Sequence, residues 1–323
     1  MPSKKLLSKK RTILIAGGGG FIGTNLTTTL LKKGHQVIIL DNFVTSDKKN
    51  LDHLKKHPNL TLIEHDITKP LPKINTKIDA IANLASPASP PRYQKIPIFT
   101  LRTNSLGTEN LLKLAKKHNC RFVQASTSEI YGNPEKSPQK ETYFGNVNSY
   151  GPRSMYDEGK RYAESLIKAY RDKFKLNTGI IRIFNTYGPF MQLDDGRVIT
   201  NFINQILNKK PLTIHGDGKQ TRSFCYIDDQ VSAWLKMIDS DIEGPVNIGN
   251  THEITVNQLA KNFEKALKVK LEKVYISRPP EDPEKRRPDV SLAKKLLKWE
   301  PKVSLEQGLK KTYNWYKKNQ PTT

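Results

Sequence analysis

A tyrosine and a lysine four residues apart, Tyr156 and Lys160, stand in the stretch SYGPRSMYDEGKRYAE at 149–164. A phenol can take a proton from an alcohol and give it back. It does so near neutral pH only if a positive charge is close, because an unperturbed phenol ionises near pH ~10. Four residues along a helix bring two side chains onto one face. The same spacing also occurs on ordinary amphipathic helices, where a lysine at the border of an apolar stripe snorkels to water. Upstream, RFVQASTSEIYG supplies three hydroxyls, Ser126, Thr127 and Ser128, and the carboxylate of Glu129.

A second chemistry is written in TILIAGGGGFIGTNL at 12–26, which spaces Gly17, Gly20 and Gly23 as G-x-x-G-x-x-G, with Phe21 and Ile22 opening a helical pattern. A dinucleotide's pyrophosphate needs a tight turn, a backbone without Cβ atoms in its way and a helix packed close on its strand. Free N–H groups at the helix N-terminus then hold the phosphates. Four glycines in a row could also be a plain strand–helix turn. The next strand, however, ends in Asp41, placed to accept from the hydroxyls of an adenosine ribose. A carboxylate there repels a 2′-phosphate, so the expected cofactor is NAD rather than NADP.

Elements must hold these groups in place. On a helix beginning near Ser154, the wheel puts Met155, Tyr156, Gly159, Ala163, Leu166, Ile167 and Tyr170 inside. Asp157, Glu158, Arg161, Ser165, Lys168 and Asp172 fall outside, with Lys160 at the border. Short apolar runs (TILIA, QVIIL, LTLIEHD, KIDAIANLA, RFVQAS and TGIIRIF) read as strands, and IFTLRTNSLGTENLLKLAKKH at 98–118 reads as a helix. Buried strands alternating with amphipathic helices predict an α/β fold, a doubly wound Rossmann parallel sheet. RFVQAS would then end where open α/β sheets place their ligands. Beyond about residue 185 the pattern loosens, which predicts a smaller C-terminal α/β lobe. The expected division is 1–184 for the cofactor domain and 185–323 mainly for substrate, with 223–250 returning to the first.

The composition, 36% hydrophobic and 26% charged over 323 residues, is that of a soluble globular protein. No apolar run reaches the ~20 residues of a membrane span, and MPSKKLLSKKRTILIAGGGG lacks the layout of a signal peptide. The expected location is cytoplasmic. Two cysteines and seven scattered histidines predict neither a disulfide framework nor a metal site. The net charge of +23 comes from lysines spread along the chain rather than packed in one block. Attraction for anionic substrates is expected from it, and no specific nucleic-acid partner.

With the G-x-x-G-x-x-G loop, Asp41, HD at 65–66, NLA at 83–85, the Ser/Thr-Glu segment and Tyr156-x-x-x-Lys160, the chain resembles the extended short-chain dehydrogenase/reductases that act on nucleotide sugars. The resemblance covers nearly the whole length. It implies that Tyr156 is the acid/base on a sugar hydroxyl and that Lys160 binds the nicotinamide ribose and lowers the phenol's pKa. It further implies cofactor contacts from Asn42, Asp66, Ile67, Leu84 and Ala85, and a homodimer pairing through helices near 98–118 and 154–174.

More narrowly, NLASPASPPRYQ, ASTSEIYG, GNVNSYGPRSMYDEGKR, RIFNTYGP, DGRVITNFI, GDGKQTRSFCYIDD and DPEKRRPD resemble the branch of that family that decarboxylates UDP-glucuronate. That branch oxidises C4 of the sugar, loses CO₂ from the resulting β-keto acid and reduces C4 again. The resemblance implies that Thr127 or Ser128 assists the phenol, that Glu129 works where CO₂ leaves and C5 is protonated, and that Arg286 faces the ring and its carboxylate. Asn185, Arg197 and Arg222 would hold the UDP, with Tyr93 and Arg153 near the sugar or diphosphate. By residue type alone, Arg286 in a Pro-rich charged loop is a solvated arginine, Arg222 a surface one, and Glu129 a local cap.

Departures from the family pattern are Ala16, Gly19, Ser86 and Phe190, the last in place of a frequent arginine. The rival enzymatic readings are a 4-epimerase, a 4,6-dehydratase or release of the 4-keto pentose. The rival from another class is a non-catalytic NAD- or RNA-binding protein, which has no need of Tyr156, Lys160, Ser128 and Glu129 together.

Overall fold

The computed structural model describes residues 10–277 and 285–319. The basic start of the chain and most of SRPPEDPEKRRPD, read above as a charged loop, lie outside the described residues. The chain opens with β1 (Thr12–Ala16), α1 (Phe21–Lys32) and β2 (Gln36–Asp41), then β3 (Leu60–Glu64) and β4 (Ala80–Asn83). Next come α2 (Pro90–Tyr93), α3 (Pro97–Arg102), α4 (Thr108–His118), β5 (Arg121–Thr127), α5 (Ser154–Phe174) and β6 (Thr178–Ile183). Short strands and helices follow: β7 (Thr186–Tyr187), α6 (Val198–Leu207), β8 (Leu212–His215), β9 (Thr221–Ser223), β10 (Cys225–Tyr226), α7 (Ile227–Ile238) and β11 (Val246–Ile248). The last elements are β12 (Glu253–Thr255), α8 (Val256–Leu267), β13 (Lys273–Ile276), α9 (Ser291–Leu297) and α10 (Leu305–Asn319).

Seven strands make one sheet in the order β11-β6-β5-β4-β1-β2-β3, and each pairs its neighbours in parallel. Alternation along β1 explains why both faces are covered. Ile13 and Ile15 join the core on one face with Leu26, Val123 and Trp234, while Leu14 and Ala16 join Leu111, Phe122 and Ile180 on the other. Side chains that alternate between two apolar layers need helices on both sides. The chain leaves β1 toward β2 on one side and reaches β4 on the other, so a crevice opens at the strands' C-terminal ends, where such sheets bind ligands.

The later elements form three two-stranded sheets, β7 with β10, β9 with β12, and β8 with β13. They are not a separate core, because Phe202, Leu259, Phe263 and Trp299 continue the apolar cluster under the first sheet face. The segment 223–250 supplies α7, which packs on α1, and β11, whose Ile248 pairs with Ile183 of β6.

One expected helix differs. The run 98–118 is interrupted by a π turn at Thr103–Gly107 between α3 and α4. The turn aims Asn104 inward. Its Nδ2 donates to Ser86 Oγ at 3.0 Å and to the Thr100 carbonyl at 2.9 Å. A Cβ on Gly159 of α5 would lie 3.2 Å from the Asn104 Cβ, so α5 approaches this turn closely, one turn beyond Tyr156. Local widening of a helix to re-aim one side chain is a common use of a π turn, and apolar periodicity carries no sign of it.

Candidate active site

The glycine loop forms the floor of the crevice. At Gly17, φ is +79° and a Cβ would stand 2.7 Å from the Ala85 nitrogen. At Gly23 a Cβ would stand 2.2 Å from the Gly17 carbonyl oxygen. No side chain caps α1 and its first turn holds no acidic residue, so its leading N–H groups remain for an anion. The Asp41 carboxylate closes the neighbouring turn. Oδ2 accepts from Gly19 N at 2.9 Å, and Oδ1 accepts from Phe43 N at 2.8 Å and Ser46 Oγ at 3.0 Å. Each carboxylate oxygen has two acceptor positions, so Oδ2 keeps one for a ribose hydroxyl. These residues fit a dinucleotide.

Tyr156 and Lys160 rise from the first turns of α5 and are both buried, at 6% and 3% exposure. The lysine is therefore inside the stripe rather than snorkelling at its border. Its Nζ donates to the Ala125 carbonyl of β5 at 2.9 Å and lies 5.8 Å from the centre of the Tyr156 ring. Burial presses the ammonium down to about 7, with Glu164 one turn on pulling the other way. Glu164 is itself held by Arg182, Nη2 to Oε2 at 2.8 Å, and by Ser126 Oγ at 2.5 Å.

The Tyr156 ring stacks on Tyr93, 5.0 Å between centres and 4° from parallel. Burial raises the phenol to about 12; a hydrogen bond to the Thr127 side chain and the charge of Arg197 act against that rise, and Glu129 and Asp157 add to it. The phenol is therefore raised on balance, with Thr127 and Arg197 opposing the rise.

Beside the pair lies a cluster of charges. Glu129 stands in a single 3₁₀ turn, Ser128–Tyr131, that follows β5 and is capped by Thr127 Oγ1, which accepts from Glu129 N at 3.2 Å. Its two oxygens accept from Arg286 Nη1 and Arg153 Nη2. Burial would raise this carboxyl, but the two guanidiniums override it and hold the group well below the usual carboxylate range. Arg286 is 5% exposed, and its Nε and Nη2 are buried with no partner among the described residues. Gln139 stitches its loop in place, donating from N to the Arg287 carbonyl at 2.9 Å and accepting Arg287 N on Oε1 at 2.9 Å.

Asp157 corrects the helical wheel. Expected on the outer face, it is 5% exposed, because Arg153 and the turn after β5 cover that side of α5. Its Oδ2 lies 3.9 Å from Arg153 Nε and its Oδ1 has no partner among the described residues.

A cavity of about 530 Å³ joins these groups. Tyr156, Lys160, Thr127, Ser128, Glu129 and Arg286 line it, as do Tyr93, Arg153, Asn185, Arg197 and Arg222, and Gly17, Gly20, Phe21, Ile22, Gly23 and Leu84. A recess of about 70 Å³ shares Gly17, Gly20 and Leu84 with it and is lined by Asp41, Asn42, Asp66, Ile67 and Ala85. Every expected site residue thus faces one of two adjoining spaces. Among the described residues the Tyr93 hydroxyl and Asn185 Nδ2 are buried without partners. Arg197 is paired with Asp195, Nη2 to Oδ2 at 2.8 Å, and Arg222 in β9 donates from Nη1 to the Thr221 carbonyl at 2.8 Å. Among the described residues no His, Cys, Asp and Glu group has the geometry of a metal site.

Sequence reasoning missed the contacts that latch the segment 189–197 over the crevice. Ser89 Oγ donates to the Asp195 carbonyl at 2.8 Å, and Arg92 Nη2 reaches both oxygens of Asp194 at 2.9 and 3.0 Å. Only the acidic pair in QLDDGR hinted at them.

With this geometry in view, the family GDP-mannose 4,6 dehydratase matches residues 14–312. UDP-glucuronic acid decarboxylase 1 of Xenopus tropicalis is 46% identical over 319 residues, 98% of this chain and 75% of that protein. UDP-glucuronic acid decarboxylase 1 of Arabidopsis thaliana is 47% identical over 289 residues, 90% of this chain and 66% of the relative's own length. Among solved structures, a UDP-glucuronic acid 4-epimerase from Bacillus cereus with UDP-glucuronic acid and NAD superposes with a TM-score of 0.84 at 29% identity, covering 95% of this chain and 99% of that one. A UDP-glucose 4-epimerase from Thermotoga maritima with UDP-glucose gives a TM-score of 0.86 at 29% identity, again over 95% and 99% of the two chains.

Proposed function

The chain belongs to the GDP-mannose 4,6 dehydratase family of extended short-chain dehydrogenase/reductases, and from that premise we propose that it is an NAD-dependent UDP-glucuronate decarboxylase that forms UDP-xylose. One observation carries the choice of substrate. The buried Nε and Nη2 of Arg286, without partners among the described residues, share a cavity with Tyr156 and Lys160. Planar N–H pairs bind carboxylates well, and the sugar of UDP-glucuronate carries one at C6. The 46% identity to decarboxylases of this name supports the same assignment.

Gly17, Gly20, Gly23 and Asp41 would hold NAD, which would supply a hydride acceptor, and then a hydride donor, for sugar C4. Tyr156 takes the proton from O4 as the C4–H bond breaks, with Thr127 or Ser128 beside it. The ketone formed is β to the C6 carboxylate. The C5–C6 electron pair can therefore move onto O4 as an enolate when CO₂ leaves. Glu129, kept ionised by Arg286 and Arg153, holds both guanidiniums against the ring rather than donating a proton. C5 then takes up a proton from solvent, and Tyr156 returns to O4, as C4 is reduced, the proton it took from there. Lys160, anchored on Ala125, orients the cofactor's ribose. Asn185, Arg197 and Arg222 hold the UDP, with Tyr93 and Arg153 at the sugar.

In this scheme the cofactor half ends at residue 184 and takes in 223–250, and the rest of 185–323 serves the substrate. We also place the enzyme in the cytoplasm, where its buried free thiols, Cys120 and Cys225, would stay reduced; among the described residues no helix is long and apolar enough to cross a membrane. A homodimer is supported by apolar side chains left exposed on α3, the π turn and α5: Ile98, Leu101, Leu106, Tyr162 and Phe174.

Incubation with UDP-glucuronate and NAD tests the assignment by mass spectrometry. A product lighter by CO₂ that migrates as UDP-xylose is expected. An isomer of unchanged mass would mean epimerisation, loss of water would mean dehydration, and a 4-keto pentose accumulating with NADH would mean that the cycle stops before reduction.

A further inference from the structure

Asp157 is a buried titratable group that the reaction above does not use. Its neighbours come from several elements: Glu158 and Tyr156 on α5, Arg153 just before it, Glu129 from the turn after β5, Tyr93 from α2, and Arg286 from the loop before α9. Glu129 is doubly paired, with Arg286 and Arg153. Two guanidiniums against one carboxylate leave one positive charge in excess in a poorly hydrated space. Asp157, with Oδ2 at 3.9 Å from Arg153 Nε and Oδ1 unpartnered, is placed to cancel that excess or leave it.

We infer that Asp157 sets the charge selectivity of the site: uncharged, it leaves the Arg153–Glu129–Arg286 cluster one positive charge to match a carboxylate on the substrate, and ionised, it cancels that charge. The inference rests on the proposed substrate class. Geometry supplies the coupling, because charges a few ångströms apart and shielded from water act strongly on one another. Burial first, and then the charge of Glu129, lift the Asp157 carboxyl to about 7, against the pull of Arg153 and Arg286. Its proton is therefore exchanged within the physiological range. A substrate carboxylate arriving at Arg286 adds a further negative charge and raises Asp157 again. By linkage, binding above neutral pH must take up a proton, and a sugar nucleotide with no carboxylate has no such requirement.

The test compares two ligands of the same full-length protein loaded with NADH, which oxidises neither. Dissociation constants for UDP-glucuronate and UDP-xylose are measured calorimetrically between pH 6 and 9, in buffers of differing ionisation enthalpy. The ratio of the two cancels effects common to both ligands, Lys160 at the cofactor among them. Burial raises the phenols of Tyr93 and Tyr156, and both stand before either ligand alike.

The expected result is a preference for UDP-glucuronate that shrinks above about pH 7, by up to about tenfold per pH unit, with proton uptake on binding UDP-glucuronate only. Asp157→Asn keeps the shape and removes the titration, so its preference should stay level across the range. A preference in the wild-type protein that does not change with pH overturns the inference, and so does an Asp157→Asn protein that keeps the wild-type slope. Failure of the wild-type protein to bind and decarboxylate UDP-glucuronate at any pH overturns the proposed function itself.

Discussion

At Lys160, burial and chemistry pull in opposite directions. The ammonium is 3% exposed and its ionisation is lowered from 10.5 to about 7. Between those values the unfolded chain binds a proton that the folded chain does not, so stability contributed at this site rises as pH climbs from about 7 to 10.5 and is fully forfeited below about 7. The shift corresponds to roughly 4–5 kcal/mol. Lys160→Met keeps the stem and removes the charge. It should raise the unfolding midpoint of the ligand-free protein at pH 6 by roughly 3–8 °C while abolishing turnover. An unchanged or lower midpoint by calorimetry would show that the lysine is not held at a cost. Tyr156 is the complementary case. Tyr156→Phe preserves the stack on Tyr93 and removes only the proton carrier, so turnover should fall by about 10²–10⁴ with NAD affinity within a few-fold by titration. Near-normal turnover in that variant would remove the phenol from the mechanism.

Elements act here by bringing distant segments within a bond length of each other. The glycine loop, α1 and β4 meet so closely that a methyl group on Gly23 would overlap the Gly17 carbonyl at 2.2 Å. Gly23→Ala should therefore push α1 off the loop and weaken NAD binding by about 100-fold or more, measurable by quenching of intrinsic fluorescence; retained affinity would mean that the cradle is not the phosphate site. The loop before α9 is the second case. Gln139 is wholly buried and bonds with the backbone just after Arg286, at Arg287 and Asp289. Gln139→Ala frees that loop without touching the cavity. The expected outcome is a higher KM for UDP-glucuronate, by about tenfold for roughly 1.4 kcal/mol of lost positioning, with NAD binding unchanged. An unchanged KM would show that Arg286 is held by Glu129 alone.

For the whole molecule, association and charge remain. Ile98 at 66%, Tyr162 at 51% and Leu101 at 43% exposure leave α3 and α5 with an apolar surface suited to a second copy of the chain. Leu101→Asp with Tyr162→Arg should convert the proposed homodimer to a monomer in light scattering; a wild-type monomer at micromolar concentration would sink that pairing. What the amino-acid order determined by itself was whatever depends on local spacing: alternating strand and helix periods, the glycine turn, the carboxylate at the end of β2, and a phenol and an amine one helical turn apart. The family resemblance supplied Arg286 and Arg222, which by residue type alone read as surface arginines. Tertiary structure decided what depends on segments distant in sequence. Glu129 and Arg286, 157 positions apart, become an ion pair only after the chain folds over the crevice. Asp157 is buried because Arg153 and the turn after β5 cover a helix face that its own periodicity assigns to water. The π turn at Thr103–Gly107 leaves no trace in apolar spacing, since it is imposed by the contact of Asn104 with Ser86 and α5. Periodicity records which side of an element is apolar, while the charge state of a side chain depends on everything packed around it.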